Sequence, residues 1–291
     1  MLPHQPSFSL FRQLLGLVLG AALGAALPLA ADAGAERQAS ETAVMHLLQA
    51  YPDALERIDG NTLYWRDGTR MTLDDGHGSK AFAAWLAEPD VEDMLRFPYP
   101  AGAGTLEPEP ENDPGRARNA AFFDKMYGNC RSGEVTLHLQ TVIWLPNKSG
   151  QRLKVHAKNG VADRLQAVSD ELDALPTRFD KFLIPSAGTY NCRVIAGTDR
   201  VSAHGYGIAI DLAVKESDYW RWAARTGNVI AYRNRIPLDI VHIFERHGFI
   251  WGGRWYHYDT MHFEYRPELL PPLAPLEQKN GPPAQGQKIE P

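Results

Sequence analysis

Two imidazoles and two carboxylates sit in two short apolar runs toward the C-terminal end of this chain. His204 and Asp211 lie in SAHGYGIAIDL, and Asp259 and His262 in YDTMHFE. A metal site that hydrolyses an amide needs about three ligands, an open position for water, and a carboxylate to move protons. These residues supply each part: His204, Asp211 and His262 as ligands of one zinc ion, and Asp259 as general base. Alternation along a strand supports the assignment. In GIAIDL, Ile208, Ile210 and Leu212 face one way, into a core, while Gly207, Ala209 and Asp211 face the other and form an open floor ending in an acid. His204 lies an odd number of positions from Asp211, so a continuous strand would part them. A bend at Gly205 and Gly207 is needed to bring them together. In the second run Met261 and Phe263 pack inward, and His262 shares its face with Glu264, which is placed to orient the imidazole.

Other elements must hold these runs face to face. Val161, Leu165, Val168, Leu172 and Leu175 make a helical apolar stripe, and Pro237 opens a helix, LDIVHIFERH, closed by Gly248. Ser217 is placed to cap a helix through DYWRWAART, closed by Gly227. EVTLHLQTVIWLP, Glu134 to Pro146, alternates as a strand. Upstream, Ala39 to Leu55 carries Val44, Leu47, Leu48 and Tyr51 at helical spacing, and Asp67-Gly68 marks a tight hairpin in NTLYWRDGTRMTL. KAFAAWLAEP reads as a short helix ended by Pro89, and Tyr99 to Gly115 as a Pro/Gly-rich loop or linker. The sum predicts an α+β fold, a mostly antiparallel sheet with flanking helices, plus an N-terminal accessory segment.

The motifs resemble a known family. S-x-H-x-x-G-x-A-x-D is carried by Ser202, His204, Gly207, Ala209 and Asp211. GG-x-W and D-x-x-H-F-E follow as Gly252, Gly253, Trp255, Asp259, His262, Phe263 and Glu264. Together, over Gly115 to Pro267, they look like the zinc D-Ala-D-Ala carboxypeptidases, a family that includes VanY-type carboxypeptidases, VanX-type dipeptidases and L-alanyl-D-glutamate endolysins. The resemblance implies a hedgehog/D-Ala-D-Ala-peptidase-like zinc domain acting on peptidoglycan stem peptides. It implies the same three ligands and the same base, which is Asp in the endolysin-like branch and Glu in others. An arginine upstream of the first histidine stabilises the transition state in the family, and Arg193 holds the matching position. Ser202, Tyr206, Trp255 and His257 are then expected against the substrate, with Trp251 and Tyr256 as further walls of the cleft. Removal of a terminal D-Ala needs a positive group for the free carboxylate, whereas a cut within the stem needs an open-ended cleft; the carboxypeptidase is favoured. A zinc-containing binding module, as in the hedgehog signalling domain, is the alternative, and a complete ligand set with a base argues against it. Non-haem iron sites usually place their first histidine and acid as H-x-D, a spacing this chain lacks.

Composition sets the remaining bounds. The chain of 291 residues carries a net charge of −5 and no Lys/Arg stripe, which excludes a nucleic-acid partner. Arg12 precedes LLGLVLGAALGAALPLAA, and Ala31-Asp32-Ala33 makes an A-x-A site. Residues 1–33 therefore read as a secretory signal peptide, in preference to an uncleaved anchor, with no stable membrane insertion after cleavage and a periplasmic or cell-envelope location. Cys130 and Cys192 are the only cysteines; in an oxidising compartment they can pair and tie down the Arg193 loop, or remain two buried thiols. His46, His77, His138, His156, His242 and His247 are left to structural or surface roles. The expected organisation is an accessory segment and linker over 34–114, the catalytic domain over 115–270 and a disordered tail over 271–291.

Overall fold

In the computed structural model, which describes residues 42–104, 107–227 and 229–276, the first helix stops where a proline requires it. α1 (42–50) ends before Pro52, which has no backbone N–H and pushes the preceding residue out of the helical region. The helix is thus shorter than the expected Ala39–Leu55, and Leu55 instead opens a strand. β1 (Leu55–Asp59), β2 (Thr62–Trp65) and β3 (Arg70–Thr72) form an antiparallel sheet in that order. The expected hairpin joins β2 to β3, and Asp67 accepts the Thr69 N–H within its turn. α2 (Phe82–Ala87) matches its expectation. α3 (Ala120–Tyr127) begins at Asn119, whose side chain accepts the Phe122 N–H at 2.8 Å.

The expected strand Glu134–Pro146 divides in two. Residues Glu134–His138 form a 3-10 turn and only Leu139–Trp144 is extended, as β4. Gly133 at φ 85 reverses the chain there, and Leu137 points to solvent, so the apparent alternation across Val135 and Leu137 was not a buried face. β4 pairs with β5 (Gln151–His156), and α4 (Val161–Asp173) packs its apolar stripe on this hairpin. After α5 (Asp180–Leu183) comes β6 (Ala209–Asp211). The helix expected after Ser217 is absent. The Ser217 hydroxyl donates back to Ala213, Trp220–Trp222 is a single 3-10 turn, and β7 (Arg225–Thr226) and β8 (Val229–Ile230) form a minimal hairpin about Gly227. The segment is drawn instead onto the loop before His262: Asp218 N donates to Thr260 Oγ1, and Trp220 N to the Tyr258 carbonyl.

α6 (Leu238–Arg246) starts after Pro237 as expected and leads into β9 (Phe249–Trp251). β10 (His262–Tyr265) lies between β6 and β9, antiparallel to both. The fold is therefore α+β and its described strand pairs are antiparallel, but the strands form four small sheets where one was expected. One face of β6–β10 carries Ile210 and Phe263, directly paired; Phe263 stacks on Phe244 of α6 at 3.9 Å. Burial of such side chains contributes roughly 1.5–3 kcal/mol each and fixes which face is left for chemistry.

The described residues fall in one compact unit. Leu47, Trp65 and Met94 share a single apolar cluster with Phe122, Leu165, Phe244 and Phe263, so the described part of 34–114 packs into the same core as α4, α6 and β10. The start of the Tyr99–Gly115 loop is also held to this unit. Tyr99 donates to Glu245 at 2.8 Å and accepts the Trp251 N–H at 2.9 Å. Among the described residues no helix is long and apolar enough to cross a membrane. The expected signal peptide lies outside the described residues, as does the expected tail from residue 277 onward.

Candidate metal centre

Register places the first two ligands. In the β6–β10 pair Asp211 stands directly opposite His262, on the face away from Ile210 and Phe263. Glu264, two residues on, stands opposite Ala209, whose methyl leaves room for the carboxylate. His204 arrives from a 3-10 turn, Ala203–Tyr206, closed by Gly207 at φ 69. This is the bend the sequence required. Gly207 also leaves little room for a side chain, since a Cβ there would lie 3.2 Å from the backbone nitrogen of His156. The turn is held from outside by Asn191 N, which donates to the His204 carbonyl, and by the Cys130–Cys192 disulfide beside Gly205.

Hydrogen-bond partners assign both tautomers. His204 Nδ1 lies 2.6 Å from the Thr189 carbonyl, which can only accept, so Nδ1 carries the proton and Nε2 a lone pair. His262 Nε2 lies 3.1 Å from the Glu264 carboxylate and donates to it, leaving the lone pair on Nδ1. These two lone pairs face each other at 3.3 Å, and the two Asp211 oxygens lie 3.1 Å from His204 Nε2 and 3.0 Å from His262 Nδ1. With both imidazoles neutral these three acceptors face one another with no proton between them, a place that a proton on His262 Nδ1 or a cation can fill, and imidazole–imidazole–carboxylate is a donor set that suits a divalent metal. The electrostatics agree. Burial opposes ionisation of Asp211, yet the two imidazoles hold it well below the usual carboxylate range. Burial likewise opposes a charged His262, yet Asp211 and Glu264 push its pKa up to about 10. The site attracts positive charge, and a metal entering at neutral pH would displace a proton.

Glu264 is fully buried and does more than meet His262. Arg118 Nη1 reaches its two oxygens at 3.2 and 3.0 Å, and Arg266 Nη1 reaches Oε1 at 3.2 Å. Burial raises its pKa, but Arg118, His262 and Arg266 hold the carboxyl ionised, well below the ordinary range. Arg266 passes the contact on to Glu268, which also accepts the Tyr51 hydroxyl at 2.7 Å. Sequence reading missed Arg118, Arg266 and Thr189: the first two are isolated arginines, and Thr189 contributes only a backbone oxygen.

Asp259 stands at the end of the 252–259 loop, where its backbone N–H donates to the Gly252 carbonyl at 3.0 Å. The contact is close enough to exclude a side chain at 252, because a Cβ there would lie 2.6 Å from the Asp259 carbonyl oxygen. Asp259 Oδ1 is enclosed and has no hydrogen-bond partner among the described residues. Burial and the nearby Asp211 charge push its pKa up to about 6, with His262, His204 and Arg116 pulling the other way. This is a carboxylate with a free oxygen, poised near neutrality and within electrostatic reach of all three ligands.

The expected substrate contacts fare differently. Tyr206 is buried, packs on Phe123 and donates to Asp124 at 3.0 Å, so it is part of the core and not of a cleft. Trp255 is 5% exposed and donates to the Pro114 carbonyl, while its ring stands 5.7 Å from His262. Trp251 is also buried, with Nε1 on the Thr260 carbonyl; Tyr256 is half-buried and accepts the Ile230 N–H. Ser202 is buried at the start of the His204 turn. His257 donates from Nδ1 to the buried Asp113 at 2.9 Å, and its ring stacks on Phe82 and meets Trp220 edge-on. Arg193 is exposed, and among the described residues its guanidinium reaches only the Val194 carbonyl, so it is not drawn into the ligand cluster. A second acidic group, Asp74, Asp75 and Asp90, is partly offset by Lys80, whose Nζ sits 2.6 Å from Asp75 and 3.3 Å from Asp90.

No curated protein and no solved structure matches the chain. Residues 196–265 do match a family model, that of D-alanyl-D-alanine carboxypeptidase; the matched stretch runs from ahead of His204 to the end of β10, and the match supports the resemblance its motifs carry.

Proposed function

We propose that this protein is an exported zinc peptidase that hydrolyses peptidoglycan stem peptides, as a D-alanyl-D-alanine carboxypeptidase. The observation that carries the reading is the convergence of His204 Nε2, His262 Nδ1 and Asp211 beside a partnerless Asp259 carboxylate. The family match over residues 196–265 supports the substrate class, and the Arg12-led apolar run supports export to the compartment where that substrate lies.

His204, Asp211 and His262 would hold the zinc, with Thr189 and Glu264 fixing the two imidazoles. When bound, zinc polarises a scissile carbonyl and makes water acidic enough to ionise near neutral pH. Asp259 accepts the water proton on its free Oδ1, and its pKa of about 6 lets it return that proton to the leaving amine. The buried walls about His262 and Trp255 keep bulk water from the reacting atoms.

The test is incubation of the zinc-loaded protein with a pentapeptide muropeptide, products being read by mass spectrometry, with Asp259→Ala as control. Loss of one alanine by the parent alone is expected. A metal-loaded protein that leaves the peptide intact would end the peptidase reading.

A further inference from the structure

Two of the three candidate ligands are seated by strand pairing. Asp211 and His262 face each other across β6–β10, in register with Ile210 and Phe263 of the core. His204 is seated differently. Its turn, Ala203–Tyr206, leans on an irregular stretch in which Asn191, Cys192, Arg193 and Val194 are all exposed. Asn191 N donates to the His204 carbonyl at 3.1 Å, and Ser202 N, at the head of the turn, donates to the Arg193 carbonyl at 3.0 Å. Just upstream, Thr189 Oγ1 and Tyr190 N both donate to the Lys154 carbonyl of β5, at 2.6 and 3.2 Å. The Thr189 carbonyl that fixes the His204 tautomer is therefore anchored on its own, and the outer support of the turn begins at residue 191.

That support is held covalently. The Cys130–Cys192 disulfide ties the exposed stretch to a 3-10 turn, Cys130–Ser132, from 62 residues earlier. Among the described residues one hydrogen bond joins the same two segments, from Arg131 Nη2 to the Asp199 carbonyl at 2.9 Å. The sulfur also packs on the turn itself: Gly205 passes so close that a Cβ there would stand 3.3 Å from Cys130 Sγ. Cys130 is buried and Cys192 exposed, so Cys192 is the side from which a thiol in solvent approaches the bond.

We propose that the Cys130–Cys192 disulfide is a redox switch on metal loading: closed, it presents His204 beside Asp211 and His262; opened by a dithiol, it frees the His204 turn and lowers metal affinity while the other two ligands stay in register. One thiolate of the dithiol attacks Cys192 Sγ. The S–S bond breaks, its electron pair leaves with Cys130 Sγ, which takes up a proton, and a mixed disulfide forms at Cys192. The second thiolate of the reductant resolves that bond, so two electrons and two protons end on the two cysteines and the dithiol becomes a disulfide. The inference rests on the reading of an exported metal peptidase and gives it a regulation. A chain still in the reducing compartment where it is made holds metal weakly, and gains a firm site where the cysteines oxidise.

The switch is tested on the full chain by chelator competition for zinc. The parent is compared with Cys130→Ser/Cys192→Ser, which has no thiol to bind zinc itself, and with Leu63→Ala, which opens a cavity under β2 and destabilises the fold without touching the centre. The serine pair is expected to hold zinc roughly 10–100-fold more weakly, as when a ligand loses its outer support. Leu63→Ala should stay within about twofold of the parent, since distant sites act independently. Amide exchange of the metal-free parent, before and after dithiothreitol and again after reoxidation, gives a second readout. The Asn191, Ser202 and Gly205 N–H groups should exchange faster on reduction and recover on reoxidation, while those of Asp211 and Leu212, bonded to Gly188 and Met261, stay protected. Unchanged zinc affinity in the serine pair, an equal loss in Leu63→Ala, or exchange that rises as much at Asp211 as at Gly205 overturns the proposal. If the serine pair does not fold, exchange in the reduced parent decides alone. Turnover by the disulfide-bonded parent judges the peptidase separately. Redox-dependent metal affinity without hydrolysis keeps the switch and removes the peptidase; hydrolysis with affinity indifferent to the disulfide does the reverse.

Discussion

Glu264→Gln removes one charge and almost no volume, at a position with no solvent exposure. In the parent this carboxylate meets Arg118 on both oxygens, Arg266 on one, and the His262 N–H. The amide can still accept from one partner, but its NH2 must then face a guanidinium or an imidazole N–H, donor against donor. Glu268 alone is left to offset two arginines, so one positive charge stays buried and uncompensated. Breaking a buried pair in this way costs about 3–5 kcal/mol. In a domain of this size each kcal/mol lowers the melting temperature by about 2–4 °C, so a fall of roughly 10 °C is expected. His262 also loses the anion that fixes its tautomer and raises its basicity, which should weaken metal binding by about 10–100-fold. Thermal melts with and without added zinc, together with a chelator competition, measure both effects. A variant that melts within about 2 °C of the parent and holds zinc as tightly would refute the claim that Arg118, Arg266 and Glu264 organise the ligand.

Three further outcomes are expected. Activity should fall away on the acid side with an apparent pKa at or below about 6, because Asp259 must be ionised to take a proton and a bound cation can only draw its pKa lower; Asp259→Asn should abolish turnover while zinc content, read by elemental analysis, stays at one ion. His156 is buried and neutral, donating from Nε2 to the Tyr127 carbonyl and accepting the Lys158 N–H, and burial lowers its pKa from 6.5 to about 4. Its contribution is therefore complete above pH 6.5 and lost as pH falls through about 4; urea melts across that range should show a loss on the order of 2 kcal/mol that His156→Gln removes. Gly252→Ala should lower kcat by about tenfold or more with little change in zinc affinity, since the new methyl strikes the Asp259 carbonyl and displaces the base without touching a ligand; steady-state kinetics and chelator titration separate the two.

The cluster of His204, Asp211 and His262 was legible because chemistry and periodicity coincide at those three residues. The bend at Gly207 was legible for a related reason: parity along the strand demanded one. What composition could not carry was register and context. Nothing in the order of residues says that Asp211 pairs with His262, or that Glu264 sits opposite Ala209. Arg118 and Arg266 look like any surface arginine until Glu264 is seen between them. Tyr206 and Trp255 sit beside functional residues in the sequence, but their rings turn into apolar clusters, since a large side chain next to a site is still most stable when buried. The Ser217 helix failed because its donors find better acceptors across the fold, at Thr260 and Tyr258, than along the chain. Leu137 misled the strand assignment because alternation was read through a residue that is exposed.

Tyr51, the residue after α1, donates to Glu268, which Arg266 also contacts, and Arg266 contacts Glu264, the partner of His262. The end of α1 and the candidate ligand His262 are thus joined through Tyr51, Glu268, Arg266 and Glu264, four buried side chains. The consequence concerns processing. A cut after Ala33 spares this chain of contacts. A second cut beyond Tyr51 would leave every ligand in place, yet it would strip a donor from Glu268 and Leu47 from the core. Cleavage there would therefore loosen the contacts behind His262 without touching any of the candidate ligands.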